Sequence, residues 1–218
     1  IESFIRLETA DSADSLAAAD GSLVTIFRVD GSRQIIGDEE YKHIVEASTL
    51  KIGARLDRQG HAMQVFFCRD PERITAYLES MIAPSRTTSR NMELDMDDLF
   101  SERIRHMSKY LSYEECYFVL WTRPSVLTKN EVTRAKKEAR NRKWLPAGYA
   151  QYPMASLEAL RTRHKSFVVG IDGALNELGI KAIKLDVHEA LRAVRNNLFP
   201  EKANEEWKAC LPGDPIAP

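Results

Sequence analysis

At 218 residues, with 44% hydrophobic and 29% charged side chains, the chain can bury one sizeable core, either as one large domain or as a domain with an appended subdomain. Lysine and arginine (31) balance aspartate and glutamate (32) to a net charge of -1, which excludes a global pull toward nucleic acid or an anionic membrane. No apolar run reaches membrane-spanning length, and the charges interleaved in the opening IESFIRLETADSAD are not what a signal peptide is expected to show.

Residues 3 to 9 alternate loosely and read as a strand, and the small polar stretch from Ala10 to Asp20 reads as an exposed loop or short helix. The clearest sheet signal runs from Gly21 to Gly37. Leu23, Thr25, Phe27 and Val29 face one way, and Val24, Ile26 and Arg28 the other, so Leu23 to Phe27 requires cover on both sides. Asp30-Gly31 then predicts a hairpin turn into the short apolar run Gln34, Ile35, Ile36.

Asp38 and Glu39 supply acid at the start of a predicted helix, with Tyr41, Ile44, Val45 and Ile52 near one face and an end around Leu56. A turn at Asp57 to Gly60 leads into a second strong strand, His61 to Arg69. Asp70-Pro71 predicts the next helix, with proline at its first position and Ile74, Tyr77, Leu78, Met81 and Ile82 at helical spacing. A second helix starts at the acidic group Asp95, Asp97, Asp98 and repeats Phe100, Ile104, Met107 and Leu111. The two helices make an excursion over roughly residues 71–111. Cys116 to Thr122 is a third apolar strand, stopped by Arg123-Pro124.

Thr128 and Glu131 form a capping-box pattern that opens a basic helix over 128–144, followed by a loop from Leu145 to Pro153. From Ser156 onward Leu157, Leu160, His164, Phe167, Val168, Ile171, Leu175 and Leu178 keep helical spacing until Gly179 stops them. Ile180 to Asp186 is the last strand, Val187 to Leu198 the last helix, and the proline-rich tail after Leu211 an extended linker. The expected fold class is α+β: a mixed, largely antiparallel sheet of about five to six strands, with helices mainly on one face and a projecting helical pair. A doubly wound parallel sheet is disfavoured, because the first long strand lacks a glycine-rich phosphate loop and the hairpin forces an antiparallel pair.

Residues that could carry chemistry have plainer readings beside them. Neither GxxxxGK[ST] nor GxGxxG is present, so no cofactor is expected in this stretch, and it is expected neither to bind nor to hydrolyse ATP. Glu93, Asp95, Asp97 and Asp98 are possible hard-metal ligands, but they stand where a helix start favours negative charge. Asp172 lies between two glycines, as on a metal-dependent phosphoryl-transfer strand, yet helical spacing runs unbroken through it. His43, His61, His106, His164 and His188 lack mutual ligand spacing. Cys68 and Cys116, in apolar runs, are expected to be buried thiols on nearby strands; with Cys210 they suit a reducing compartment rather than a disulfide framework.

The basic helix is the sharpest surface feature. Lys129, Arg134, Lys136, Lys137, Arg140, Arg142 and Lys143 leave few apolar positions on it, so it is either a solvated face or a surface for an acidic partner. The stripe Phe100, Ile104 and Met107 is a second candidate interaction surface. A nucleic-acid-binding module acting through 128–144 is the alternative reading, although nucleic acid is not expected as a partner because aromatics are not interleaved beyond Trp144.

Three phrases, DGSLVTIFRVDGSRQIIGDEEYKHIVE, IGARLDRQGHAMQVFFCRDPERI and YLSYEECYFVLWTRPSVL, resemble the amino-terminal region of the DotO/IcmB family of type IV secretion ATPases. These belong to the Dot/Icm (type IVB) machinery and have relatives in conjugation systems. The resemblance implies a non-catalytic docking domain over 1–211, with 212–218 beginning a linker to an ATPase domain that holds the Walker motifs, ATP and magnesium. It further implies peripheral attachment at the cytoplasmic face of the inner membrane. The implied partners are other copies in a hexamer or higher oligomer, inner-membrane secretion components and a partner secretion ATPase. Both ends of the chain fit such a piece of a larger machine.

Overall fold

The computed structural model describes residues 6–141, 158–203 and 206–211. The fold is α+β, built on a six-stranded antiparallel sheet. Its strands are β1 (Leu7–Ser12), β2 (Ser15–Ala18), β3 (Leu23–Ser32), β4 (His61–Asp70), β5 (Tyr113–Thr122) and β6 (Ile180–Lys184). They lie in the order β1-β2-β3-β5-β4, and β6 joins β3. The shared strand is long enough for two neighbours along one side: Leu23 and Val24 pair with Ala17 and Leu16, while Phe27 to Ser32 pair with Lys184 to Ile180.

The helices are α1 (Asp38–Leu56), α2 (Ile74–Asn91), α3 (Asp97–Met107), α4 (Lys129–Asn141), α5 (Glu158–Glu177) and α6 (Val187–Leu198). By contacts the chain divides into two compact units, one of Ile1–Phe66 with Tyr117–Pro218 and one of Phe67–Cys116.

In the larger unit the alternation along β3 holds residue by residue. Val24 and Ile26 pack with Leu7, Leu16, Tyr117 and, from α6, Val187 and Ala190. Phe27 packs on the opposite face with Leu120, Ile52 of α1, and Phe167, Val168 and Ile171 of α5. The two longer helices therefore cover one face and α6 the other. Phe27 and Leu120 are fully buried; each contributes roughly 1.5–3 kcal/mol relative to exposure. Helix α5 buries its ridge as its spacing requires, from Leu160 through His164, Phe167, Ile171 and Leu175. Gly179 at φ +70 ends that run in the left-handed region. Asp186 caps α6 by accepting from the Glu189 amide at 2.8 Å, and Glu189 accepts from the Asp186 amide at 3.1 Å.

Four expectations are corrected. Asp30-Gly31 is no hairpin turn: β3 continues through it, and Gly31, at φ +102, sits at a register shift against β6. A glycine with positive φ serves a bulge as readily as a turn, and the neighbouring strand decides which forms. Ile35 and Ile36 are consequently exposed coil before α1. The stretch from Ala10 to Asp20 is neither loop nor helix, since it supplies the end of β1 and all of β2 with Ser15 to Ala18 buried. Helix α2 begins at Ile74, beyond Pro71, after Asp70 Oδ1 accepts from the amides of Glu72 and Arg73. Cys68 and Cys116 are half-buried rather than buried, although their strands are neighbours.

The smaller unit has its own cluster, in which Ile74 and Leu78 of α2 meet Ile104 of α3, with Ile82, Met107 and Tyr113 packed against them. Arg90 donates to Asp97 Oδ2 at 2.7 Å and so ties the end of α2 to the start of α3.

Candidate functional site

The predicted surface residues separate into three groups. On α4, Lys129, Arg134, Lys136 and Lys137 are exposed. The helix opens with its capping box formed: Glu131 Oε2 accepts from the Thr128 amide at 2.7 Å and Thr128 Oγ1 accepts from the Glu131 amide at 3.4 Å. The Thr128 amide, and then the Thr128 hydroxyl, donate to the Glu131 carboxyl and hold it below its ordinary value. The Arg140 side chain, Arg142 and Lys143 lie outside the described residues, as does the predicted loop from Leu145 to Pro153.

On α3, Ile104 is 3% exposed and Met107 packs against the same cluster, so both serve the interior of the helical pair; Phe100 is half-buried. The exposed apolar side chains of that unit instead include Phe67, Tyr77, Met81, Met92, Leu99 and Tyr110.

The acidic group does not converge on a common point: Asp97 is engaged by Arg90, and among the described residues no three His, Cys, Asp or Glu side chains gather as a metal site would require. Asp172 lies within α5, where its Oδ1 accepts from Asn176 one turn on. His164, by contrast, is a structural centre. It is 4% exposed, with Nε2 2.8 Å from Thr25 Oγ1 and Nδ1 2.9 Å from Thr122 Oγ1, so one ring joins α5 to both β3 and β5.

Strand β4, the second strong strand of the sequence, lies at an edge of the sheet among the described residues. Its side chains Val65 and Phe66 are 55% and 37% exposed. Beside it is an apolar groove of about 230 Å³, lined by Val24, Ile26, Phe66, Tyr117, Trp121 and Val194. Among the described residues α6 is the one helix packed on that face of the sheet, and it leaves the groove beside it uncovered. An edge strand offers unpaired backbone groups, and an apolar edge beside an apolar groove can take up another chain. The hydrophobic run was plain in the sequence; its position in the strand order was not.

No protein-family model matches the chain, and no curated protein matches it significantly. Among the described residues no helix is long and apolar enough to cross a membrane.

Proposed function

We propose that the chain is a non-catalytic assembly and docking domain of a type IV secretion ATPase of the Dot/Icm class. In this reading it binds other copies and inner-membrane components from the cytoplasmic side, while ATP and magnesium belong to another domain of the parent protein. The resemblance of its three phrases to that family supports the class. The observation that carries docking is the edge strand β4, on which Phe66 stays partly exposed while lining the apolar groove and Val65 is exposed on the opposite face. Core strands elsewhere in this sheet bury such residues, and two exposed neighbours on an edge favour association.

The test is a Val65→Lys, Phe66→Ser variant of the full-length protein, followed by sedimentation and by recovery with the inner-membrane fraction. The fold should survive, since neither side chain is in the core, and the assembled fraction should fall severalfold. Assembly and membrane recovery equal to wild type would overturn the reading. A parallel Arg134→Glu, Lys137→Glu, Arg140→Glu variant asks whether basic α4 contributes: charge reversal there weakens assembly if it meets an acidic neighbour.

A further inference from the structure

A second concavity, of about 370 Å³, opens where the end of α1, the start of β4 and the first half of α5 meet. Ala54, Arg55 and Arg58 come from the first of these, His61 from the second, and Thr162, Arg163, Ser166 and Phe167 from the third. Three arginines line it, and among the described residues no Asp or Glu does. Arg163 is fixed in place: its Nη2 donates to Glu131 at 3.0 and 3.1 Å and its Nη1 to the Val126 carbonyl, so its charge is shared with Glu131. Arg55 and Arg58 form no ion pair among the described residues.

Arg55 is also positioned, because its guanidinium lies against the backbone of α5 at Gly170, where an added Cβ would overlap Nη1. Thr162 and Ser166 stand one turn apart on α5, and neither hydroxyl is hydrogen-bonded among the described residues. His61 stacks on Phe167 with ring centroids 4.3 Å apart and supplies a flat wall. Burial holds His61 below its ordinary value, and Arg58 and Arg163 push the same way, a sign that this corner is electropositive.

We propose that this pocket binds a phosphate group, as the free dianion or as a phosphate monoester. Arg55 and Arg58 carry the unneutralised charge, and Arg163, Thr162 and Ser166 supply further donors. Guanidinium forks match phosphate oxygens in geometry as well as charge, and convergent arginines beside free hydroxyls form a donor-only set. Among the described residues that line it the pocket has donors and no carboxylate, a set that suits bare phosphate rather than Mg-ATP. The monoester can be on a soluble metabolite or on a lipid head group, and the same chemistry serves both. The inference is independent of the docking role of β4.

The experiment is calorimetric titration of the intact protein with inorganic phosphate, then glycerol 3-phosphate, at constant ionic strength set with chloride. Wild type should bind one equivalent saturably. Arg55→Gln, Arg58→Gln should weaken binding at least tenfold without changing the melting temperature, and Gly170→Ala should weaken it severalfold by displacing Arg55 while leaving every charge in place. Vesicles containing phosphatidic acid, compared with phosphatidylcholine alone, separate the two sources. Tighter apparent binding to the acidic vesicles than to glycerol 3-phosphate assigns a lipid head group, and the reverse a soluble ligand. Absence of saturation, or equal binding by wild type and the double variant, overturns the proposal.

Discussion

His164 Nε2 lies 2.8 Å from Thr25 Oγ1, and the hydrogen-bond pattern fixes which of the two donates. The Thr25 hydroxyl gives its single proton to the Asp14 carbonyl at 2.9 Å, so it accepts from an Nε2–H. Nδ1 is then the acceptor and takes the proton of the Thr122 hydroxyl. The ring is neutral, in one tautomer, and both nitrogens are used. Burial pushes its pKa down to about 4 from an ordinary 6.5, against the opposing pull of Asp11 and Asp14. Between those values the unfolded chain takes up a proton that the folded chain excludes. Stability from this group is complete above pH 6.5 and falls as pH drops toward 4, by up to about 3 kcal/mol. In a His164→Gln variant, urea denaturation across that window should show a flatter pH dependence, and at pH 7 a loss of roughly 1–3 kcal/mol from the disturbed threonine bonds. An unchanged slope would contradict the assignment.

Gly31 and Gly60 both have φ near +100, but their surroundings differ. A Cβ at Gly31 meets nothing within 4 Å, whereas one at Gly60 would lie 2.7 Å from the Val126 amide nitrogen. Gly31→Ala should cost about 1 kcal/mol, from backbone strain alone. Gly60→Ala should cost more, because it adds a clash with backbone that holds the Pro124–Val126 turn. Equal midpoints in denaturant would contradict this ranking.

Arg161 grips Asp11 through both Nε and Nη2, with the closest approach at 2.6 Å, and the Asp11 side chain is 4% exposed. Arg161→Met strands that carboxylate. Water reaches the arginine side, 40% exposed, so the loss should be about 2 kcal/mol rather than the full cost of an unpaired buried charge. Adding Asp11→Asn to Arg161→Met should recover a good part of it. A double variant as unstable as Arg161→Met, measured at pH 7, would show that the carboxylate is not the source of the loss.

Cys210 is exposed, whereas Cys68 and Cys116 are half-buried, and burial raises the Cys116 thiol above its ordinary value. Alkylation of the native protein at pH 8, followed by mass spectrometry, should modify Cys210 first and Cys116 more slowly than Cys68. Labelling of Cys116 as fast as Cys210 would contradict the packing of β5.

Much of this fold was legible wherever the deciding contacts repeat locally. Helix α5 announces itself through Leu160, His164, Phe167, Ile171 and Leu175, and β3 through the alternation of Val24 and Ile26 against Thr25 and Phe27. The misreadings depend on neighbours distant in sequence. Asp30-Gly31 becomes a bulge because β6 arrives to pair beyond it, and the Ala/Ser run becomes β2 because β3 shields Leu16 and Ala17. Val65 and Phe66 look like core residues until the strand order puts β4 last, with no outer neighbour among the described residues. The arginine pocket draws Arg55 and Arg58 from one half of the chain and Arg163 from the other, with no spacing between them that a sequence could advertise.

The place of α5 and β6 also governs how this protein comes into being. Central strand β3 is made before β6 and before α5, the helix that completes the cover of Phe27 and Thr25, both of which follow only beyond residue 157. Until then the face carrying Phe27 has α1 alone to cover it, and the stretch from Phe27 to Ser32 lacks its β6 partner. Such long-range closure slows folding and leaves sticky intermediates. A product that stops at Asn141 should therefore leave Phe27 and Leu120 without the cover of α5 and β3 without its β6 partner, and should aggregate rather than reach this packing.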